Sequence, residues 1–187
     1  MQQSGDLRRA VFLDRDGVIN EAPTIKGLPY SPRSVQELKI IPGVKEAVAL
    51  LIQERFEIVV VTNQPDIARG LLRQEVMYEI HHEISIRTGL EHFIFCAHDD
   101  NDDCACRKPR PGMLFQAARD LNLDLRRSFL VGDRWKDVES GQNAGCKCFF
   151  VDYGYREKSP ALPFYRVTSL LEAAQIITGN NNAHFLA

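Results

Sequence analysis

Short apolar runs rich in Val, Ile, Leu and Phe recur along the chain, separated by longer stretches in which apolar residues return at helical spacing. The runs at residues 10–14, 57–62, 92–96, 128–132 and 147–152 predict strands, and their near-continuous apolar character suits strands covered on both faces. Between the first two, Pro42 and Gly43 open a segment in which Val44, Val48, Leu51 and Ile52 share one helical face, with Pro42 read as a first-turn proline. A second helix is predicted over 72–88, closed by Gly89, and a third from Pro111 through Met113, Leu114, Ala117, Ala118 and Leu121. A fourth follows Asp133 and a last one covers 170–177, before a Gly-Asn tail over 179–187 that is expected to fray. Strands alternating with helices predict an α/β fold: a mostly parallel central sheet with helices on both faces.

The segment from Asn20 to Arg33 breaks this rhythm with Pro23, Gly27, Pro29 and Pro32, and reads as an irregular surface loop. It is too short to be a domain. A chain of 187 residues is expected to form a single domain over 1–187, with its core at about 8–178 and no large cap domain. The formal net charge of −2 offers no global attraction for nucleic acid or membrane surfaces, which favours a small-molecule partner held by local groups. Residues 1–6 lack the apolar core of a signal peptide, and no run of about 18 apolar residues occurs, so a cytoplasmic monomer is the expectation.

Polar residues interrupt the pattern where predicted strands end. Asp14 and Asp16 follow the first run, Thr62 and Asn63 close the second, Asp133 closes the fourth, and Lys108 precedes the third helix. Ligands of open parallel sheets bind beyond the carboxyl ends of the strands, so these groups are expected to converge. Taken singly each has a plain reading: Asp-x-Asp is a common turn or cap, and a lone Lys is a solvated side chain. Together they match phosphoryl transfer. Asp14 can attack phosphorus, Asp16 can protonate the leaving oxygen and then activate water, and Asp14 with Asp133 offers the hard oxygen ligands of Mg²⁺. Thr62, Asn63 and Lys108 can offset the charge of the phosphoryl oxygens.

Asp14-Arg15-Asp16-Gly17-Val18, Thr62-Asn63, Lys108-Pro109 and Gly132-Asp133-Arg134-Trp135-Lys136-Asp137 together resemble, in order, the four motifs of haloacid-dehalogenase-like (HAD) phosphatases, subfamily IIIA. The resemblance implies a Rossmann-like fold with Asp14 as nucleophile and Asp16 as acid/base. It also implies Mg²⁺ held by Asp14, Asp133 and the main-chain carbonyl of Asp16, with Asp137 behind them. Thr62-Asn63-Gln64, Ile67-Ala68-Arg69-Gly70 and the stretch from Cys104 to Leu114 are similar to heptose-bisphosphate 7-phosphatases. The implied substrate is therefore a phosphosugar, D-glycero-D-manno-heptose 1,7-bisphosphate cleaved at its 7-phosphate, a step toward lipopolysaccharide precursors. Gln64 and Arg107 join Thr62, Asn63 and Lys108 as implied substrate-binding residues. Pro65-Asp66 departs from the Ser-Gly of that family.

Cys96, His98, Cys104 and Cys106 lie within eleven residues and supply the donor set of a tetrahedral Zn²⁺ site. Four protein donors leave no open position, so the ion is expected to be structural, tying a loop beside Arg107 and Lys108. The acidic stretch Asp99 to Asp103 lacks the Gly and distal Glu of an EF-hand. The short spacing between His98 and Cys104 resembles histidinol-phosphatase relatives, which makes histidinol phosphate the alternative substrate. A non-catalytic zinc-tethered binding module and a phosphomutase are the other readings. Cys146 and Cys148 are expected as core or near-surface thiols, and of the helical pair His81 and His82 one is expected to flank the core and the other to be exposed, neither with a role.

Overall fold

The computed structural model describes residues 7–25, 27–180 and 185–186. Its elements, in chain order, are β1 (Ala10–Leu13), β2 (Thr24–Ile25), β3 (Leu28–Pro29), α1 (Val44–Gln53), β4 (Glu57–Asn63), α2 (Pro65–Ala68) and α3 (Gln74–Thr88). They continue with β5 (His92–Cys96), α4 (Gly112–Leu121), β6 (Phe129–Gly132), α5 (Trp135–Ala144), β7 (Lys147–Val151), β8 (Phe164–Val167), α6 (Leu170–Ile177) and β9 (Phe185–Leu186). The sheet runs in the order β5-β4-β1-β6-β7-β8-β9, and every pair is parallel except β8 with β9.

Strand alternation sorts the core. Val11, Leu13, Ile58, Val60, Val131 and Phe149 pack on one face with residues of α1, α3 and α6, among them Leu51, Ile80, Ile84 and Leu170. Phe12, Val59, Val61, Leu130 and Phe150 pack on the other with Met113, Leu114 and Ala117 of α4 and Val138 of α5. Burying each such side chain is worth about 1.5–3 kcal/mol, which lets the fold carry buried charge at its carboxyl edge.

The predicted sheet with helices on both faces is present, and the differences have local causes. Pro42 lies in the turn before α1 rather than in its first turn, because Gly43 takes a left-handed φ of 86° at the N-cap. Ile52 is more than half exposed, and Ala47 takes the inward position beside Val48 and Leu51. The second predicted helix is present as α3 but starts at Gln74, and the four-residue α2, which the chain leaves through a turn at Gly70, precedes it as a separate element outside the predicted helix. The expected irregular loop contains the β2–β3 hairpin, turned at Gly27. β8, with Arg166 exposed in its short run, was not anticipated. Of the tail expected to fray, residues 181–184 and 187 lie outside the described residues, while Phe185 and Leu186 pair with β8. Among the described residues no helix is long and apolar enough to cross a membrane.

The chain moves outward from β1 through β4 to β5, then crosses back to β6 on the other side of β1 and continues outward. The reversal leaves a crevice at the carboxyl end of β1, where Asp14 follows the last strand residue and its N–H donates to Val131 at 2.9 Å.

Candidate active site

β1 ends in a tight reversal, with Ile19 and Asn20 both donating backbone N–H groups to Arg15 O at 2.8 and 3.1 Å. Gly17 carries a φ of 89°, and a Cβ there would sit 1.9 Å from Asp133 Oδ2, so the turn can pass that carboxylate only as glycine. Gly132 serves β6 in the same way, since a Cβ on it would meet Asp137 Cβ at 2.1 Å. These two glycines let the β1 and β6 loops close on each other and bring Asp14, Asp133 and Asp137 together. All three are buried, with one oxygen from each within 4.8 Å of the others.

Lys108 enters from the loop before α4. Its Nζ donates to Asp14 Oδ1 and Val61 O, both at 2.8 Å, and pairs with Asp137 Oδ1 at 2.6 Å. Asn63 places it: the Asn63 amide donates to Lys108 O and accepts from Lys108 N, each at 3.1 Å. Burial opposes the lysine charge, yet Asp137 and Asp14 hold its pKa above the ordinary value. Burial lifts Asp14 to about 6 even with Lys108 opposing, and burial followed by the Asp14 charge lifts Asp133 well above the carboxylate range. One ammonium cannot offset three buried carboxylates. Asp133 Oδ1 is also buried without a hydrogen-bond partner. Excess charge and an unpartnered oxygen in an all-oxygen set are what a hard divalent cation would satisfy.

Asp16 sits in a different environment. Arg15 grips it with Nε at 3.1 Å and Nη2 at 2.9 Å, while Asn20, Ser31 and Gln64 donate at 2.9, 2.8 and 2.8 Å. Burial pushes its pKa up, but Arg15 and these donors overcome it and leave the group below the usual carboxylate value. The two aspartates of one motif are thus driven in opposite directions.

The cleft over these groups is walled by Pro29, Tyr30 and Ser31 of the hairpin arm, Thr62 and Asn63, Arg134 at the N-cap of α5 and Lys136 in its first turn. The expected phosphate donors divide. Thr62 accepts from Gln64 at 2.8 Å, which leaves its own hydroxyl proton free to point into the cleft. Gln64 is fully buried and its amide N–H groups go to Asp16 and Thr62. Both amide atoms of Asn63, which lines the cleft, are engaged by the Lys108 backbone, whereas Gln64 shapes the site from behind its surface. Arg107 lies in an adjoining groove with Lys108 and Lys136, its Nε on Asp100 at 2.8 Å and its Nη1 on His98 O at 3.1 Å.

That groove borders the cysteine cluster, which stands at the end of β5 beside Asn63. Cys96 Sγ is 3.5 Å from His98 Nδ1, 3.6 Å from Cys104 Sγ and 3.1 Å from Cys106 Sγ. Cys106 Sγ lies 3.4 Å from both His98 Nδ1 and Cys104 Sγ. Donors around a tetrahedral Zn²⁺ with bonds of about 2.0–2.3 Å stand roughly 3.5–3.8 Å apart, so the cluster fits that ion with small adjustments. Asp99 receives Arg69 at 2.7 and 2.6 Å, and Asp66, in the position of the departure noted above, receives Arg33 at 2.8 Å. Pro65 and Asp66 form the first turn of α2, and the Arg33 pair ties that turn to the segment after β3.

Arg15, Asn20, Ser31, Arg134, Lys136 and Tyr155 were not singled out from sequence. Arg15 carried the clearest signal, since a cation between two acidic residues past a buried strand needs a partner. It is fully buried, and Nη1 lies 3.3 Å from His81 Nε2. Of the two adjacent histidines it is His81 that faces inward, buried against Phe93 with ring centroids 4.6 Å apart. Burial first, and the Arg15 charge second, hold its pKa down at about 3. Unfolded His protonates below about 6.5, so the stability tied to neutral His81 is complete above that pH and is lost as pH falls toward 3. Wild type is expected to lose about 2 kcal/mol more than His81→Gln between pH 7 and 5, read as the difference of two denaturant series, which removes the opposing contribution of Asp14. Parallel curves would show that His81 is not held neutral.

Comparison with known proteins accounts for this arrangement. A HAD-hydrolase-like family profile matches residues 105–173. The D-glycero-β-D-manno-heptose-1,7-bisphosphate 7-phosphatase of Bordetella bronchiseptica is 34% identical over 158 residues, covering 82% of this chain and 86% of that protein. The chain belongs to the HAD-like phosphatases. A D-glycero-α-D-manno-heptose-1,7-bisphosphate 7-phosphatase from Photorhabdus laumondii is 31% identical, covering 81% of this chain and 87% of that protein. The crystal structure of the B. bronchiseptica heptose 1,7-bisphosphate phosphatase, complexed with magnesium and phosphate, superposes with a TM-score of 0.75 at 29% identity, covering 92% of this chain and 99% of that one. The HAD-like fold of this chain is thus supported along nearly all of its length.

Proposed function

We propose that the chain removes the 7-phosphate of D-glycero-D-manno-heptose 1,7-bisphosphate through a phosphoryl group carried transiently on Asp14, and that it does so as a single domain. The observation that carries the reading is the meeting of Asp14, Lys108, Asp133 and Asp137 at one strand end, in a chain whose relatives bear that activity.

Asp14 and Asp133 would hold Mg²⁺ with the main-chain carbonyl of Asp16, and Asp137 beside them would orient the set. When bound, the ion offsets the negative charge shared by the phosphate and the carboxylates. Lys108, fixed by Asn63, holds Asp14 in place and adds positive charge where a phosphoryl oxygen comes to rest. Asp14 attacks phosphorus in line with the sugar oxygen, and the P–O bond to that oxygen breaks as the bond to Asp14 forms. Asp16 begins ionised under Arg15; a phosphate dianion arriving beside it opposes that charge and draws it toward protonation. Protonated Asp16 gives its proton to the departing sugar oxygen, then takes one from the water that hydrolyses the Asp14 phosphoryl. Arg107, Arg134 and Lys136 surround the mouth and suit a substrate with a second phosphate.

Zn²⁺ bound by Cys96, His98, Cys104 and Cys106 would be structural, anchoring the loop that bears Arg107 and Lys108. Cytoplasmic location and a monomeric state belong to the same proposal. Phosphate release from the α and β heptose 1,7-bisphosphates and from histidinol phosphate, measured side by side, tests the substrate. At least one heptose anomer is expected to show a kcat/KM about tenfold or more above histidinol phosphate, roughly 1.4 kcal/mol of discrimination. A higher value for histidinol phosphate would transfer the assignment to that ester.

A further inference from the structure

Asp133 differs from its two carboxylate neighbours in how it is held. Asp14 and Asp137 each pair with the Lys108 ammonium. Asp133 receives an uncharged donor: the Tyr155 hydroxyl, arriving from the loop between β7 and β8, donates to Oδ2 at 2.8 Å. The Tyr155 ring leans on Tyr153, with centroids 5.7 Å apart, and Gly17 closes over the same Oδ2. The other oxygen, Oδ1, is buried and lacks a hydrogen-bond partner.

We infer that Tyr155 is a positioning residue that fixes Asp133 by Oδ2 and commits Oδ1 to the divalent cation. The inference rests on Asp133 being a cation ligand, as proposed above. A carboxylate rotates through a broad torsional well, so an untethered Asp133 would spread its population over orientations that present either oxygen. One donor on one oxygen removes that freedom. A phenol also does so without cancelling the charge: a Lys or Arg at the same place would satisfy Oδ2 equally well but would repel the incoming ion. A phenol carries its proton at neutral pH and, facing a carboxylate oxygen, can only donate there. Partners of this kind commonly change metal affinity ten- to a hundredfold.

The test is binding of Mn²⁺, a paramagnetic stand-in for Mg²⁺, to the purified full chain without substrate, followed by electron paramagnetic resonance of the free ion. Wild type, Tyr155→Phe and Asp133→Asn are compared, with thermal unfolding as the check on fold; Phe keeps the ring contact with Tyr153. Tyr155→Phe is expected to weaken binding on the order of tenfold, and Asp133→Asn to weaken it at least as much. If Asp133→Asn loses affinity while Tyr155→Phe binds as wild type or more tightly, the positioning role of Tyr155 is wrong and the cation reading stands. If Asp133→Asn binds as wild type, the reading of Asp133 as a ligand fails and takes the inference with it.

Discussion

Asp14→Asn is expected to lower Mg²⁺-dependent phosphate release by at least roughly 1,000-fold, about 4 kcal/mol of barrier, without loss of folding. An amide keeps the size of the side chain and can still accept from Lys108, but it is far too weak a nucleophile to attack phosphorus. Stability should hold or rise, because the substitution removes one charge from a buried cluster in which three carboxylates share one ammonium. Burial already lifts Asp14 to about 6, a sign that the free protein resists that charge. The pair of outcomes is distinctive: a residue serving only the fold would lose activity and melting temperature together. Measuring both on the same preparation separates the two cases, and turnover close to wild type would remove Asp14 from the chemistry.

Removal of zinc is the second large effect expected. The purified chain should carry about one Zn²⁺, and Cys104→Ser should lose it with a fall in unfolding free energy of roughly 3 kcal/mol or more. The size follows from what the cluster secures. Cys96 is fully buried at the end of β5, whereas His98 is exposed and Cys104 and Cys106 are half-buried in a loop held by surface ion pairs, Arg69 with Asp99 and Arg107 with Asp100. Such exposed pairs are individually weak, so the metal would carry most of the loop's order. Asn63 clasps that loop at Lys108, so loss of zinc is also expected to reduce turnover by disturbing Lys108. Elemental analysis and thermal unfolding read the result; a fully folded, zinc-free wild-type protein would overturn the assignment.

The sheet and the core of the site were legible for the same reason. Apolar runs buried on both faces stand out in a sequence, and a charged residue directly after such a run has few roles besides capping or chemistry. Asp14, Asp16 and Asp133 are of that kind, and Lys108 stands out once the others are placed. Groups that reach the site by folding back were not legible. Ser31 meets Asp16 because the β2–β3 hairpin returns over the crevice, and Tyr155 meets Asp133 across the β7–β8 loop. Nothing in their local pattern marks either. Gln64 shows a further limit: position suggested contact with phosphate, whereas its buried amide donates to Asp16 and Thr62. His81 lay on a helix face whose period could report burial but not the buried Arg15 against it.

Two aspartates separated by one residue carry opposite electrostatic assignments, and that contrast underlies the proposed chemistry. Asp14 lies among carboxylates and awaits a cation, while Asp16 is held ionised by Arg15 and awaits an anion. Groups driven apart in this way are suited to nucleophilic and acid/base work respectively.

The most direct measurement is acid quenching of the enzyme during turnover of heptose 1,7-bisphosphate with Mg²⁺, followed by mass spectrometry of the peptide containing Asp14. A phosphoryl group on Asp14 in wild type, absent from Asp14→Asn, is the expected result. Sustained phosphate release by Asp14→Asn at the wild-type rate, with no phosphorylated Asp14 in either protein, would contradict the account.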